Sequence, residues 1–141
     1  GSPALLALRQ TGDHLSWKAD IMIKCGVDAV EIKRLDEINP AIRARFIHRV
    51  YTPLEQAQLQ GSTEALAGVF AAKEAVAKAL GTGIGKVHWQ DIEIIHAYSG
   101  EPEVRLHGAA NEVAAARHLS EWAVSITHDG GIAMAVAVAR D

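Results

Sequence analysis

The chain carries a single cysteine, Cys25, so no intrachain disulfide can brace it. A lone thiol agrees with a reducing, cytoplasmic setting. No apolar run is long enough to cross a bilayer; the longest, Ile132 to Ala139, suits a buried strand. Positive charge is not in surplus. The 14 Lys and Arg residues stand against 17 Asp and Glu, a formal charge of -3, which argues against a nucleic-acid partner. There is no repeat, low-complexity tract or linker, and no signal-peptide pattern after Gly1-Ser2, which reads as a tag remnant. The seven histidines are scattered, without the paired Cys or His spacing that zinc needs. No serine, cysteine or lysine stands beside a companion base as an activated nucleophile. The stretch Gly81-Thr82-Gly83-Ile84-Gly85 follows a helix rather than opening one. It is therefore neither a Walker loop nor a dinucleotide fingerprint, and as a helix stop it needs no function.

What is present describes one compact domain. A chain of 141 residues, 49% hydrophobic and 22% charged, can bury a core without staples. Residues 1–20 have no clear period and read as a leader; residues 21–141 read as the domain. A strand is expected over 21–32, with Ile21, Ile23, Cys25, Val27 and Ala29 on one face and a phase slip to Val30 and Ile32. That slip suggests a bulge near Asp28. A helix is expected over 41–49, and Thr52-Pro53-Leu54-Glu55 opens another with a capping box. The clearest helix spans 64–80 and stops at Gly81. Strands are expected at 91–97 and 103–106, a helix at 109–118, and strands at 122–127 and 132–138. The last two flank Asp129-Gly130-Gly131, a hairpin turn by composition. The order reads as an α+β fold, an antiparallel sheet against a long helix.

Four features are candidates for chemistry. Asp28 interrupts an apolar strand, where aspartate is disfavoured. On a wheel at about 100° per residue, Leu66, Val69, Phe70, Val76 and Leu80 share an apolar face. Lys73 falls within that face, and Glu74 and Lys78 lie at its edge. Lys73 either snorkels to water, with Glu74 and Lys78 an ordinary surface pair, or the two lysines meet a phosphate and Glu74 a metal. Should Asp28 sit beside Glu74, two carboxylates share a site and call for a cation; hard oxygen ligands suit magnesium. Finally, Lys33, Arg34, Arg43, Arg45 and Arg49 crowd one segment, which is either a solvated helix face or a docking surface for an acidic partner. Ser125, Thr127 and His128 end a strand before a turn, a place that serves a site or a turn cap equally well.

Taken together, GVDAVEI followed by Arg34, FAAKEAVAKALGTG, DIEI with Gly100-x-Pro102, and SITHDGGIAMAVAVA resemble the motifs of the holo-acyl-carrier-protein synthase family, in order, over residues 24 to 139. Phosphopantetheinyl transferase domains of fungal-type fatty acid synthases are similar as well, at Thr52 to Glu55 and Val104 to Ala109. The resemblance implies the phosphopantetheinyl transferase fold in its small, trimer-forming type, with each site formed where two subunits meet. It implies transfer of 4′-phosphopantetheine from coenzyme A to a serine of an apo acyl carrier protein, with release of 3′,5′-ADP, in fatty acid and lipid biosynthesis. Magnesium would be held by Asp28 and Glu74, and Lys78, with Lys73 beside it, would serve the phosphates. Gly81, Pro102, Thr127 and His128 match positions along the coenzyme A site, and Arg34 and Arg45 match positions that receive the carrier. Two departures stand out. Gly68 and Val69 occupy the place where many members carry an arginine before the helix phenylalanine, so 3′-phosphate recognition is weakened or carried elsewhere. Thr127 replaces a common serine and keeps the hydroxyl. Two other readings remain: an idle carrier-protein-binding module, and an unrelated coenzyme A thioesterase that needs no magnesium.

Overall fold

The computed structural model describes residues 22–141; the expected leader and Ile21 lie outside the described residues. Strand β1 (Ile23–Glu31) leads into a short helix α1 (Lys33–Glu37), then α2 (Pro40–Val50) and α3 (Pro53–Leu59). The long helix α4 (Thr63–Leu80) follows, then a 3-10 turn (Trp89–Asp91) and the hairpin β2 (Ile92–His96) and β3 (Pro102–Leu106). Helix α5 (Gly108–Ala116) precedes the second hairpin, β4 (Glu121–Asp129) and β5 (Ile132–Arg140). The strands form an antiparallel three-stranded sheet in the order β1-β5-β4 and a separate β2-β3 pair. This is the α+β arrangement expected, with α4 packed across the larger sheet.

Local chemistry sets the element boundaries. Asn39 accepts a hydrogen bond from the Ala41 N–H at 2.8 Å ahead of Pro40, and so starts α2. Thr52 and Glu55 close the expected capping box: Thr52 N donates to Glu55 Oε1 at 2.8 Å and Glu55 N to Thr52 Oγ1 at 3.1 Å. Gly81, at φ 84°, turns into the left-handed region and stops α4, its N–H reaching the carbonyls of Ala77 and Lys78. Gly130 and Gly131, at φ 58° and 80°, make the two-residue turn between Asp129 and Ile132.

No bulge lies near Asp28. β1 pairs with β5 in one unbroken register from Ile23 opposite Arg140 to Glu31 opposite Ile132, so Asp28 sits within a regular strand. The apparent phase slip has another cause. Gly26, Asp28 and Val30 face α4, whereas Ile23, Cys25, Val27 and Ala29 share the exposed face. β5 shows the same inversion: Ala133, Ala135, Ala137 and Ala139 are buried while Met134, Val136 and Val138 are exposed. The run from Ile132 to Ala139 is thus buried on one side only.

Small residues on the inner face let α4 approach the sheet closely. A Cβ on Gly26 would run into the Ala75 carbonyl and come within 2.9 Å of Ala79 N, and one on Gly68 would meet Ile126 at 2.8 Å. The opposite face of α4 carries Leu66, Val69, Val76 and Leu80 into the main core with Ile92, Ile94, Val50 and Tyr51. Phe46, Phe70 and Trp89 stack beside it, with centroids 5.4 and 4.9 Å apart, and tie α2 and the 3-10 turn to α4.

Candidate active site

Glu74 and Lys78 leave α4 at the margin between its two buried faces, on the side of β1. Lys78 Nζ donates to the Val27 carbonyl at 2.9 Å and to Asp28 Oδ1 at 3.1 Å. The Asp28 side chain is one-fifth exposed, and Lys78 remains about half exposed (20% and 53%) and free to reach outward. Partial burial pushes the Glu74 carboxyl above the ordinary glutamate range. The neighbouring Asp28 carboxylate raises it further, and Lys78 pulls it down. The strand and the helix therefore bring together Asp28, Glu74 and Lys78, residues far apart in sequence. Two repelling carboxylates with one partial counter-charge have the chemistry to hold a small cation.

Among the described residues, no three His, Cys, Asp or Glu side chains gather into a protein-only metal cage. Magnesium takes one or two carboxylates and completes its shell with water and substrate phosphates, and Asp28 and Glu74 are the residues that would hold it. The donor set fits the ion.

Lys73 is a correction. It does not face this site. Its side chain is fully buried on the opposite side of α4, where Nζ pairs with Glu55 Oε1 at 2.8 Å and donates to the carbonyls of Ile92 at 2.6 Å and Trp89 at 3.0 Å. All three ammonium protons are committed, so none remains for a phosphate. Burial lowers the Lys73 pKa, and Glu55 opposes that shift. In the sequence Glu55 is legible only as a cap. Glu93 is a further buried acid, inside the DIEI motif but given no role there, although a signal for it exists: it stands inside the apolar run Ile92 to Ile95, the same anomaly that singles out Asp28. Glu93 accepts from Thr52 Oγ1 at 2.6 Å and is joined to His107 Nε2 at 3.0 Å.

The remaining candidates lie elsewhere. Gly81 caps α4 just beyond Lys78, and the next residue, Thr82, holds the one buried side-chain polar atom without a hydrogen-bond partner among the described residues. His128 contacts Glu64 through Nδ1 at 3.3 Å, near the start of α4. With Pro102 and His96 it lines a cleft of about 240 Å³. Val69 is buried there, so no cation replaces the arginine of the resemblance at that position. Thr127 points to the outer face of the sheet, opposite to His128, because neighbouring strand residues alternate. Glu64 and Lys78 are fourteen residues apart on one helix, roughly 21 Å of rise. The two groups also adjoin opposite outer strands, β4 and β1. One subunit therefore does not bring Pro102, Thr127 and His128 to Asp28, Glu74 and Lys78. Arg34 and Arg45 are exposed on α1 and α2, while Arg43 turns inward to Thr63 Oγ1 at 3.2 Å.

Asp28 on the strand and Glu74 and Lys78 one turn apart on the helix form one polar cluster, and comparison with known proteins gives the class of protein that carries it. Residues 24–137 match the model of the 4′-phosphopantetheinyl transferase superfamily. The holo-[acyl-carrier-protein] synthase of Caldanaerobacter subterraneus subsp. tengcongensis is 44% identical over 117 residues, covering 81% of this chain and 91% of the relative. That of Alkaliphilus metalliredigens is 42% identical over 125 residues, covering 84% and 99%. Among solved structures, the Helicobacter pylori holo-[acyl-carrier-protein] synthase in complex with coenzyme A superposes with a TM-score of 0.74 at 33% identity, covering 84% of this chain and 99% of the other. The Neisseria meningitidis synthase gives 0.76 at 34%, covering 85% and 100%. The chain belongs to the 4′-phosphopantetheinyl transferase superfamily, as an enzyme of the holo-acyl-carrier-protein synthase type.

Proposed function

We propose that the chain moves 4′-phosphopantetheine from coenzyme A to a serine of an apo acyl carrier protein, releasing 3′,5′-ADP, in the cytoplasm and in the service of fatty acid synthesis. The observation that carries the reading is the meeting of Asp28, Glu74 and Lys78 across β1 and α4. The serine oxygen attacks the phosphorus that bears pantetheine. The phosphoanhydride bond breaks, and 3′,5′-ADP leaves with the bonding electron pair. Asp28 and Glu74 would hold magnesium, whose charge offsets that of the pyrophosphate. Lys78, already paired with Asp28 and half exposed, stabilises the leaving phosphate. The serine proton goes to Glu74 or to a water held beside it.

The adenosine end falls to Pro102, Thr127 and His128, with Gly81 beside the phosphates. Because these groups adjoin opposite edges of the subunit, the working site joins one protomer's Asp28, Glu74 and Lys78 to a neighbour's Pro102, Thr127 and His128. A homotrimer packed through the exposed apolar face of the sheet supplies such neighbours. Arg34 and Arg45 on α1 and α2 receive the acidic carrier.

The test is direct. The protein is incubated with coenzyme A, magnesium and an apo acyl carrier protein, and the carrier is weighed by mass spectrometry. A mass gain of one phosphopantetheine, lost on chelation and restored by magnesium, is expected. Asp28→Ala and Glu74→Ala should each nearly abolish it while remaining folded. An unchanged carrier marks an idle binding module, and magnesium-independent hydrolysis of acyl-coenzyme A marks a thioesterase; either overturns the proposal.

A further inference from the structure

Lys73 and Glu55 are buried charges that the proposed chemistry does not touch, and both are saturated. Glu55 Oε1 accepts from Lys73 Nζ and from the Thr52 N–H, and Oε2 accepts from the Ile94 N–H at 2.7 Å. Lys73 directs its other two donors to the Trp89 and Ile92 carbonyls. The pair thus fastens α4 at once to α3, to the 3-10 turn and to β2.

The other side of α4 is different in kind. It meets the sheet through Gly68, Ala75 and Ala79 against Gly26, Ile126 and the buried alanines of β5. Alanine and glycine faces pack closely but offer shallow ridges, so they fix the distance between helix and sheet better than the position of the helix along its axis. Three directional bonds from Lys73 do fix that position, two more from the Thr52 and Ile94 N–H groups hold Glu55 in place to receive it, and buried polar pairs are best attested as devices of register. Glu74 is the next residue after Lys73, and Lys78 follows one turn on. Any slide or rotation of α4 at Lys73 is passed undiminished to the two groups that must meet Asp28 on β1. A constellation of this kind tolerates only about 0.5 Å of error.

We infer that Lys73 and Glu55 are positioning residues: their buried pair sets the register of α4 and thereby holds Glu74 and Lys78 against Asp28. The inference rests on the reading of Asp28 and Glu74 as the metal seat.

The experiment separates register from mere stability. Lys73→Met and the charge-free pair Lys73→Met with Glu55→Gln are prepared; the glutamine keeps an acceptor for the Ile94 N–H. Manganese binding is measured by calorimetry, the magnesium dependence of transfer is titrated, and the folded fraction is followed by circular dichroism. Loss of register weakens the metal seat, as loss of an outer partner does elsewhere, by roughly 10- to 100-fold. The manganese dissociation constant and the magnesium midpoint should rise together in folded protein, and most of the turnover should return at high magnesium. A purely structural pair lowers the melting temperature and the active fraction alike but leaves both metal constants at their wild-type values, and that result overturns the inference. Should Lys73→Met fail to fold, Glu55→Gln alone gives the same two constants and separates the same two outcomes. A wild type that binds no manganese and transfers nothing strikes the functional reading itself, and the inference falls with it. A wild type that binds manganese no better than the folded variants strikes the inference alone.

Discussion

Burial pushes the Glu93 carboxyl up, yet the hydrogen bonds from Thr52 and His107 outweigh it and hold the group below the ordinary glutamate value of 4.5. A carboxylate depressed in the fold contributes stability that is present above its unfolded pKa and is lost as pH falls through the folded one. Melting temperature should therefore drop as pH falls below about 4.5, and Glu93→Gln should flatten that acid limb. A variant whose melting profile retains the wild-type slope would show that the bonds to Thr52 and His107 contribute nothing. Single residues are unevenly legible in the sequence. Asp28 stands out because an acid in an apolar strand is disfavoured, whereas Glu74, with Lys78 one turn on, reads equally well as half of an ordinary surface pair. Lys73 falls on the apolar face of α4 in the sequence as in the structure, but a helical wheel says nothing of what lies opposite. Its partner, Glu55, comes from a different helix, and only the three-dimensional packing shows that the anion it meets is a side chain rather than a phosphate.

The contact between β1 and α4 has the least room to give. A methyl group on Gly26 meets backbone, the Ala75 carbonyl and the Ala79 nitrogen, which cannot rotate away as a side chain would. Gly26→Ala should destabilise the protein by about 3 kcal/mol or more, read as a shift of the denaturation midpoint. It should also impair transfer in the protein that still folds, since Asp28 lies two residues on. A variant of wild-type stability would mean that α4 is free to move off the sheet. The helix stop at Gly81, the capping box at Thr52 and the Gly130-Gly131 turn are readable because each rests on interactions within a few residues. Two local features escape the sequence for opposite reasons. Helix α1 has only five residues, too few to show a period, and it exists because Leu35 is buried in the core. The expected bulge comes from taking large apolar residues as inward. In this sheet the small residues face the helix and the large ones face out, so the alternation is intact and its polarity reversed.

At the scale of the molecule that reversal is the dominant surface feature. Val27, Met134, Val136 and Val138 are each 40 to 52% exposed and lie side by side across β1 and β5, an apolar stripe that a single subunit leaves to water. Val136→Asp should convert the proposed trimer to monomers by light scattering and sharply reduce transfer, because the halves of the site come apart. An active monomer would refute the shared site. The proposed carrier surface is carried by α1 and α2. Arg34→Glu or Arg45→Glu should raise the Michaelis constant for the carrier roughly tenfold, about 1.4 kcal/mol of docking energy, with little change for coenzyme A. Added salt should imitate the substitutions in the wild type. Equal carrier kinetics at all salt concentrations would leave these arginines as plain surface. The lone thiol of Cys25 sits in the same outward row as Val138, exposed and directly across the strand pair from it. The chain thus contains its own footprinting reagent. Alkylation of Cys25 should proceed at the rate of an open thiol where the sheet is bare and slow in the proposed trimer, where another protomer would lie over it, so the labelling rate against protein concentration tests whether that face assembles.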